Sequence, residues 1–275
     1  VTLRLAFSPC PNDTFVFHAL THGLVAGAPD FEVTFADVDV TNNAAERDEF
    51  DLVKVSYAAL PWLLSRYALL PCGGALGRGC GPLVLTRDEM APADLRDHVV
   101  AVPGDRTTAY LLFRLWAAGH DPAAVAVVPF HEIMPGVAAG RFGAGLVIHE
   151  ARFTYPRYGL RAMVDLGEWW EGTTGLPIPL GAILAARERV DAAAAAGWVR
   201  ESVRRAWADP AASRGFVLEH AQEMEPDVVD RHIGLYVNDF TADLGEEGYR
   251  AVRELLGRAA AAGLVPAVDD RLLTA

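Results

Sequence analysis

GLPIPLGAILAA, residues 175–186, opens on a glycine and two prolines and then runs on as an apolar strand. GRGCGPLVL, residues 77–85, has the same construction: a glycine-rich bend that becomes a strand. Glycine frees the backbone at a bend and proline fixes it, so clusters of both mark places where a chain changes direction. Two such segments read as crossings between two lobes. One lobe is discontinuous, residues 1–84 plus 186–275; the other is an insertion, residues 85–185.

Outward from the crossings, short apolar runs at 3–7, 31–35, 52–55, 99–102, 125–128 and 145–148 read as buried strands. Helical stretches lie between them, the alternation expected of an α/β fold with a parallel sheet and covering helices. The clearest helix covers 246–262, where Tyr249, Val252, Leu255, Leu256 and Ala259 share one face. Val199, Val203 and Ala206 mark another, and 111–116 and 15–20 are shorter ones.

The chain has 275 residues, enough for one large domain or two smaller ones, and 52% of them are hydrophobic, enough for a packed core. Its net charge is −12, which argues against a nucleic-acid partner, since that needs a basic face. Cys10, Cys72 and Cys80 contain no CxxC pair and read as reduced thiols of a cytoplasmic protein. The opening VTLRLAF is too short for a signal-peptide core, and the alanine-rich apolar stretches are too short for membrane insertion.

Four strands end in the same way, with polar or turn-forming residues at once. LRLAF leads to SPCPNDT, LVKV to Ser56 and Tyr57, VVAV to PGDRTT, and GLVI to His149 and Glu150. In open parallel sheets ligands sit outside the carboxyl ends of the strands, so with two lobes these edges are expected to face a cleft. Asn12, Asp13 and Thr14 read as caps of a helix starting near Phe15, with Pro9 and Pro11 keeping the preceding turn out of helix. Thr107 and Thr108 read likewise before Ala109. A helix start suits a carboxylate or phosphate, although every helix also needs a cap. Ser56 is a poorer cap, because Pro61 falls inside the helix it would start. Lys54 is either an edge residue with its head in water or a charge aimed at an acidic ligand. His149 is either a hydrogen-bonded core histidine or a group for proton transfer near neutrality.

Other features carry less. His18 and His22 have a spacing that can bind metal, but no third ligand is placed, and the reading is no metal. GRGCGP lacks a P-loop's GK[ST]; its glycines read as a bend, and Arg78 within it is positioned to reach an acidic ligand. Cys10 and Cys80 have no visible base and read as small buried thiols. Trp169 and Trp170 read as packing near the second crossing.

SPCPNDTF, LVKVSYAAL, GALGRGCGPL, PGDRTTAY, IHEARFTY, DLGEWWEGTTGLPIPLGAI, EHAQEM and YVNDFTADLGEEG occur in this order along nearly the whole chain. Together they resemble the 1,4-dihydroxy-6-naphthoate synthases of menaquinone biosynthesis by the futalosine route. The resemblance implies a two-lobed fold like the type-II periplasmic binding proteins. It implies a carbon–carbon lyase that needs no metal or organic cofactor. Its substrate would be cyclic dehypoxanthinyl futalosine, a carboxylated, nucleoside-derived small molecule. By motif, His149 takes the proton-acceptor role, and Lys54, Val55, Ser56, Thr108 and Ala109 take substrate-binding roles. Val55 and Ala109 act there only through backbone or packing. Asn12, Asp13, Thr14, Thr107 and Arg78 are added from placement at the strand ends. The competing reading is a non-catalytic binder of an aromatic acid on the same fold.

Overall fold

The computed structural model describes residues 2–221 and 225–274; the last three residues of EHAQEM lie outside that range. The chain divides into two compact units, Val1–Gly77 with Pro179–Ala275, and Arg78–Ile178.

The first unit begins with β1 (Thr2–Phe7), α1 (Pro11–Thr21), β2 (Asp30–Phe35), α2 (Val38–Glu46), β3 (Leu52–Ser56), the short α3 (Leu60–Leu63), β4 (Tyr67–Leu69) and β5 (Ala75–Gly77). The inserted unit follows with β6 (Leu83–Thr86), β7 (Val99–Val102), α4 (Thr108–Trp116), β8 (Ala124–Val127), α5 (Phe130–Ala138), β9 (Ala144–Val147), α6 (Ala151–Thr154), β10 (Arg161–Asp165) and α7 (Leu166–Thr174). The chain then returns through β11 (Ile178–Ala186) to α8 (Ala192–Ala208), α9 (Arg214–His220), α10 (Pro226–Tyr236), α11 (Asp239–Ala242) and α12 (Gly245–Ala261).

The first unit's sheet has the order β2-β1-β3-β11-β4, with β5 beside β11. β1 is parallel to β2 and β3, but β11 runs antiparallel to β3 and β4, so the sheet is mixed rather than parallel. The reason is β11's route: it enters from the inserted unit and not through a crossover helix. Because β11 pairs with β3 and β4, the second crossing falls before it, not after it at residue 185. α1 and α8 cover this sheet with Phe15, Phe17, Val199 and Val203 against Phe7, Leu52 and Ile183. Phe7 stacks on Phe17 with ring centroids 4.7 Å apart. Ser202 of α8 enters α1's own ladder: its Oγ donates to Val16 O and accepts from Leu20 N at 3.2 Å.

The inserted unit's sheet, β10-β6-β9-β7-β8, is also mixed. β7 is parallel to both β8 and β9, while β6 is antiparallel to β9 and β10. Leu83, Leu85, Ala101, Ile133, Val137 and Val147 form its core. Each of the Leu, Ile and Val side chains contributes about 1.5–3 kcal/mol when fully buried. The bend before β6 uses a left-handed residue at Gly79 (φ +66°), as expected of a glycine-rich crossing. Among the described residues no helix is long and apolar enough to cross a membrane.

Candidate functional site

In the first unit, β1 ends at Phe7 and α1 starts four residues later at Pro11. The Asn12–Asp13–Thr14 trio is not the cap. Cys10 holds the cap position, and the trio lies in the first turn, buried. Pro11 starts the helix instead of delaying it, because the first helical position needs no N–H and proline's φ is already helical. Thr14 turns inward, donating to Cys10 O at 3.1 Å and Pro11 O at 3.3 Å.

Lys54 is not an edge residue. β3 lies between β1 and β11, and the side chain is buried. Its ammonium donates to Asp13 Oδ1. Asp13 Oδ1 also accepts from Asn12 Nδ2 at 2.7 Å, and the Asp13 carboxyl accepts from the Ser8 backbone N–H. Asn12 Oδ1 faces His232 Nε2 of α10 at 3.0 Å. Burial pushes the Asp13 carboxyl above the ordinary carboxylate range, and the Lys54 ammonium pulls against that. A Cβ on Gly181 would stand 2.8 Å from Lys54 Cε and 3.7 Å from Nζ. Gly181 pairs with Ser56, so the lysine stem runs toward the carboxyl end of β3 over a residue with no side chain. Ser56 closes that strand. Its Oγ accepts from Asn42 Nδ2 at 3.1 Å and its N–H donates to Asn42 Oδ1 at 2.8 Å. It caps no helix; a 3-10 turn follows, and Pro61 fits the start of α3. Val55 is fully buried in the ladder opposite Ala182.

In the inserted unit, Thr107 is the cap of α4. Its Oγ1 accepts from Tyr110 N at 3.2 Å and donates to Gly104 O at 2.9 Å. Thr108 and Ala109 are the first helical residues and are buried; first-turn N–H groups point out along the axis and have no acceptor within the helix. β7 feeds α4 and β9 feeds His149, and these strands are parallel neighbours, so both clusters lie at one carboxyl edge. β9 stops at Val147, and His149 takes φ +57°, the left-handed region. That conformation is uncommon for a residue with a β-carbon and is held where the surroundings require it. The half-buried imidazole meets the Phe130 ring edge-on, centroids 5.5 Å apart at 84°. Glu150 is buried, and with the strand ended it starts α6 rather than crossing to the opposite sheet face.

Arg78 lies apart from this cluster in its partners: it donates to Gly175 O at 3.1 Å and pairs with Glu171 at 3.7 Å. The His18 and His22 rings lie 4.4 Å apart, tilted by 36°, and pack on Phe216; among the described residues no group of three or more His, Cys, Asp or Glu is arranged to hold a metal. Cys72 and Cys80 are buried thiols pushed up to about 12 by that burial. Trp170 is fully buried and donates Nε1–H to Pro177 O at 3.0 Å, on the second crossing.

The structure thus joins Asn12, Asp13 and Lys54 within one unit, and Thr107, Thr108, Ala109 and His149 along one edge of the other. His232 and Asn42 escaped the sequence reading, since each is one among several polar residues on its helix. A usable signal did exist for Lys54. Of the 24 basic residues it is the one lysine, against 23 arginines.

A 1,4-dihydroxy-6-naphtoate synthase of Streptomyces coelicolor is 66% identical over 99% of this chain and 98% of its own length. One from Thermus thermophilus is 49% identical over 95% of each. A solved structure from Archaeoglobus fulgidus superposes with a TM-score of 0.89 at 31% identity, covering 96% of this chain and 98% of that one. The alkanesulfonate-binding protein SsuA of Xanthomonas axonopodis reaches 0.72 at 16% identity, covering 99% and 96%, and shows the periplasmic-binding-protein-like fold alone. The family model described as menaquinone biosynthesis matches residues 3–261, and the chain belongs to that menaquinone-biosynthesis family.

Proposed function

We propose that this chain is a carbon–carbon lyase that converts cyclic dehypoxanthinyl futalosine into 1,4-dihydroxy-6-naphthoate and a released three-carbon sugar fragment, with His149 as general base and no cofactor. The observation that carries the reading is His149 itself: a half-buried imidazole in a left-handed conformation, at the same carboxyl edge as the start of α4. A core histidine needs neither the strained backbone nor that edge. An imidazole titrates near neutrality, so it can accept a proton from a sugar hydroxyl as the ring system fragments. Formation of the aromatic product supplies driving force, which leaves the protein to position the substrate, take the proton and exclude water.

The remaining residues divide between binding roles. Thr108 and the first turn of α4 hold anionic substrate oxygens, with Thr107 fixing that turn. Lys54 presents a positive charge and Ser56 a hydroxyl, whose hydrogen is not used by Asn42. Val55 and Ala109 contribute backbone and packing.

The test is turnover of cyclic dehypoxanthinyl futalosine, with 1,4-dihydroxy-6-naphthoate followed by chromatography, for the wild type and His149→Ala. Product from the wild type, with a loss of at least about 100-fold in the variant, is expected for a general base. Equal product from both discards His149 as the base. Saturable binding without product from the wild type favours a binding protein over an enzyme.

A further inference from the structure

We propose that Asn12, Asp13 and His232 are positioning residues, a buried relay that holds the Lys54 ammonium ready for the carboxylate of the substrate. The inference rests on the substrate-binding role given to Lys54 above. It goes further in assigning work to three residues that need not touch the substrate.

Composition provides the first argument. In 275 residues the chain uses arginine 23 times and lysine once, and that lysine is buried in a central strand. Arginine is a broad planar fork; lysine is a compact point charge with three rotatable donors. The lane over Gly181 admits a methylene stem but not a Cβ on that residue, so it selects the narrower side chain. Asp13 takes one of the three ammonium hydrogens, so the head can add a ligand carboxylate without leaving its partner.

The relay then explains why Asp13 keeps its place. Asn12 Nδ2 donates to Asp13 Oδ1, which turns Asn12 Oδ1 toward His232. An amide oxygen only accepts, so His232 must carry its hydrogen on Nε2. That donor locks the amide, the amide locks the carboxylate, and the carboxylate aims the lysine. His232 is in turn fixed by full burial and by packing against the Tyr236 ring, centroids 4.6 Å apart and planes tilted by 36°. Each member is at least nine-tenths buried, where a hydrogen bond is strong and a lost one is costly.

The experiment compares His232→Phe, which keeps the ring and loses the donor, with His232→Gln, which keeps an N–H donor. Two quantities are measured: KM and kcat for the proposed substrate, and acetylation of Lys54 by pulsed acetic anhydride, read by peptide mass spectrometry. Lys54 is the one lysine, so the side-chain signal is unambiguous. His232→Phe is expected to raise KM about tenfold with kcat within about twofold, since positioning for binding is lost and the base is not. Lys54 labelling is expected to rise at least about threefold, as a loosened ammonium exposes its neutral form. His232→Gln is expected to restore both. Unchanged KM and labelling in His232→Phe overturns the relay. So does a fall in kcat with labelling unmoved, or a glutamine variant that behaves like phenylalanine. If His232→Phe fails to fold, Asn12→Ala breaks the relay at its middle and carries the same expectations. If the wild type does not turn over the substrate, the proposed reaction falls, and labelling alone judges the relay.

Discussion

Replacing Asp13 by alanine strands the Lys54 ammonium among groups that cannot balance it. The two side chains are 3% and 7% exposed, so water does little to help. Removing one partner of a buried ion pair costs about 3–5 kcal/mol. The upper end has a physical ceiling: a buried, unpaired ammonium sheds its proton rather than stay charged, and deprotonating an ordinary lysine at neutral pH costs about 5 kcal/mol. The expected loss for Asp13→Ala is therefore about 4 kcal/mol near pH 7. The same reasoning fixes a pH signature. In the variant the unfolded chain binds more protons than the folded one, so raising the pH restores stability, by up to about 1.4 kcal/mol per unit. Lys54→Met is expected to cost less, because Asp13, already pushed up by burial, simply takes a proton. Urea denaturation of both variants at about pH 7 and pH 9 measures this. A loss for Asp13→Ala below about 1 kcal/mol, or one that does not change with pH, refutes the reasoning.

Acid stability is expected to rest on the cluster of Arg189 with Asp48 and Asp51. Hydrogen bonds from Arg189 lower Asp48 to about 2; at Asp51 burial pushes up, but Arg4 and Arg189 outweigh it and the net shift is downward. Lowered carboxylates stabilise the fold above their unfolded value of about 4, and that contribution is lost as pH falls from about 4 toward 2. Arg189→Ala should flatten this acid limb in denaturation midpoints. Thr107→Ala removes the side-chain cap of α4 and should cost about 1 kcal/mol, seen as faster amide exchange in that helix. At position 149 the usual order inverts: with φ at +57°, His149→Gly should be more stable than His149→Ala by about 1 kcal/mol in thermal or urea melts.

Much of the fold was legible because buried strands announce themselves. VVAV at 99–102 became β7 without a change of boundary, and Val252, Leu255, Leu256 and Ala259 became buried residues of α12, with Tyr249 half-buried beside them. What escaped were elements whose pattern is weak locally. β4 and β5 are three residues each, and β10 is half exposed at a sheet edge. Strand direction escaped for a different reason. Apolar periodicity records which face is buried and not which way a neighbour runs, so β11 could not be told from a parallel strand. At the candidate site the strand ends singled out Asn12, Asp13, Lys54, Thr107 and His149, but not which of them pair, and not His232 or Asn42. The Asp13–Lys54 pair joins residues far apart in sequence, and Asn12 to His232 spans most of the chain. The turn after Phe7 was misread because Asn, Asp and Thr are also common caps; Pro11 was the better marker of the helix start.

β11 also has a consequence for how the protein is made. It lies between β3 and β4, strands that leave the ribosome far earlier, and residues 54 and 183 must meet to complete the sheet. Until then β3 and β4 carry open edges, which are the usual templates for mispairing. The inserted unit is continuous in sequence and emerges before β11. Folding in order of synthesis therefore favours that unit first, with the discontinuous unit closing last and slowly, as long-range strand pairing requires. The nascent chain's dependence on chaperones should be concentrated in the interval between the synthesis of β4 and that of β11.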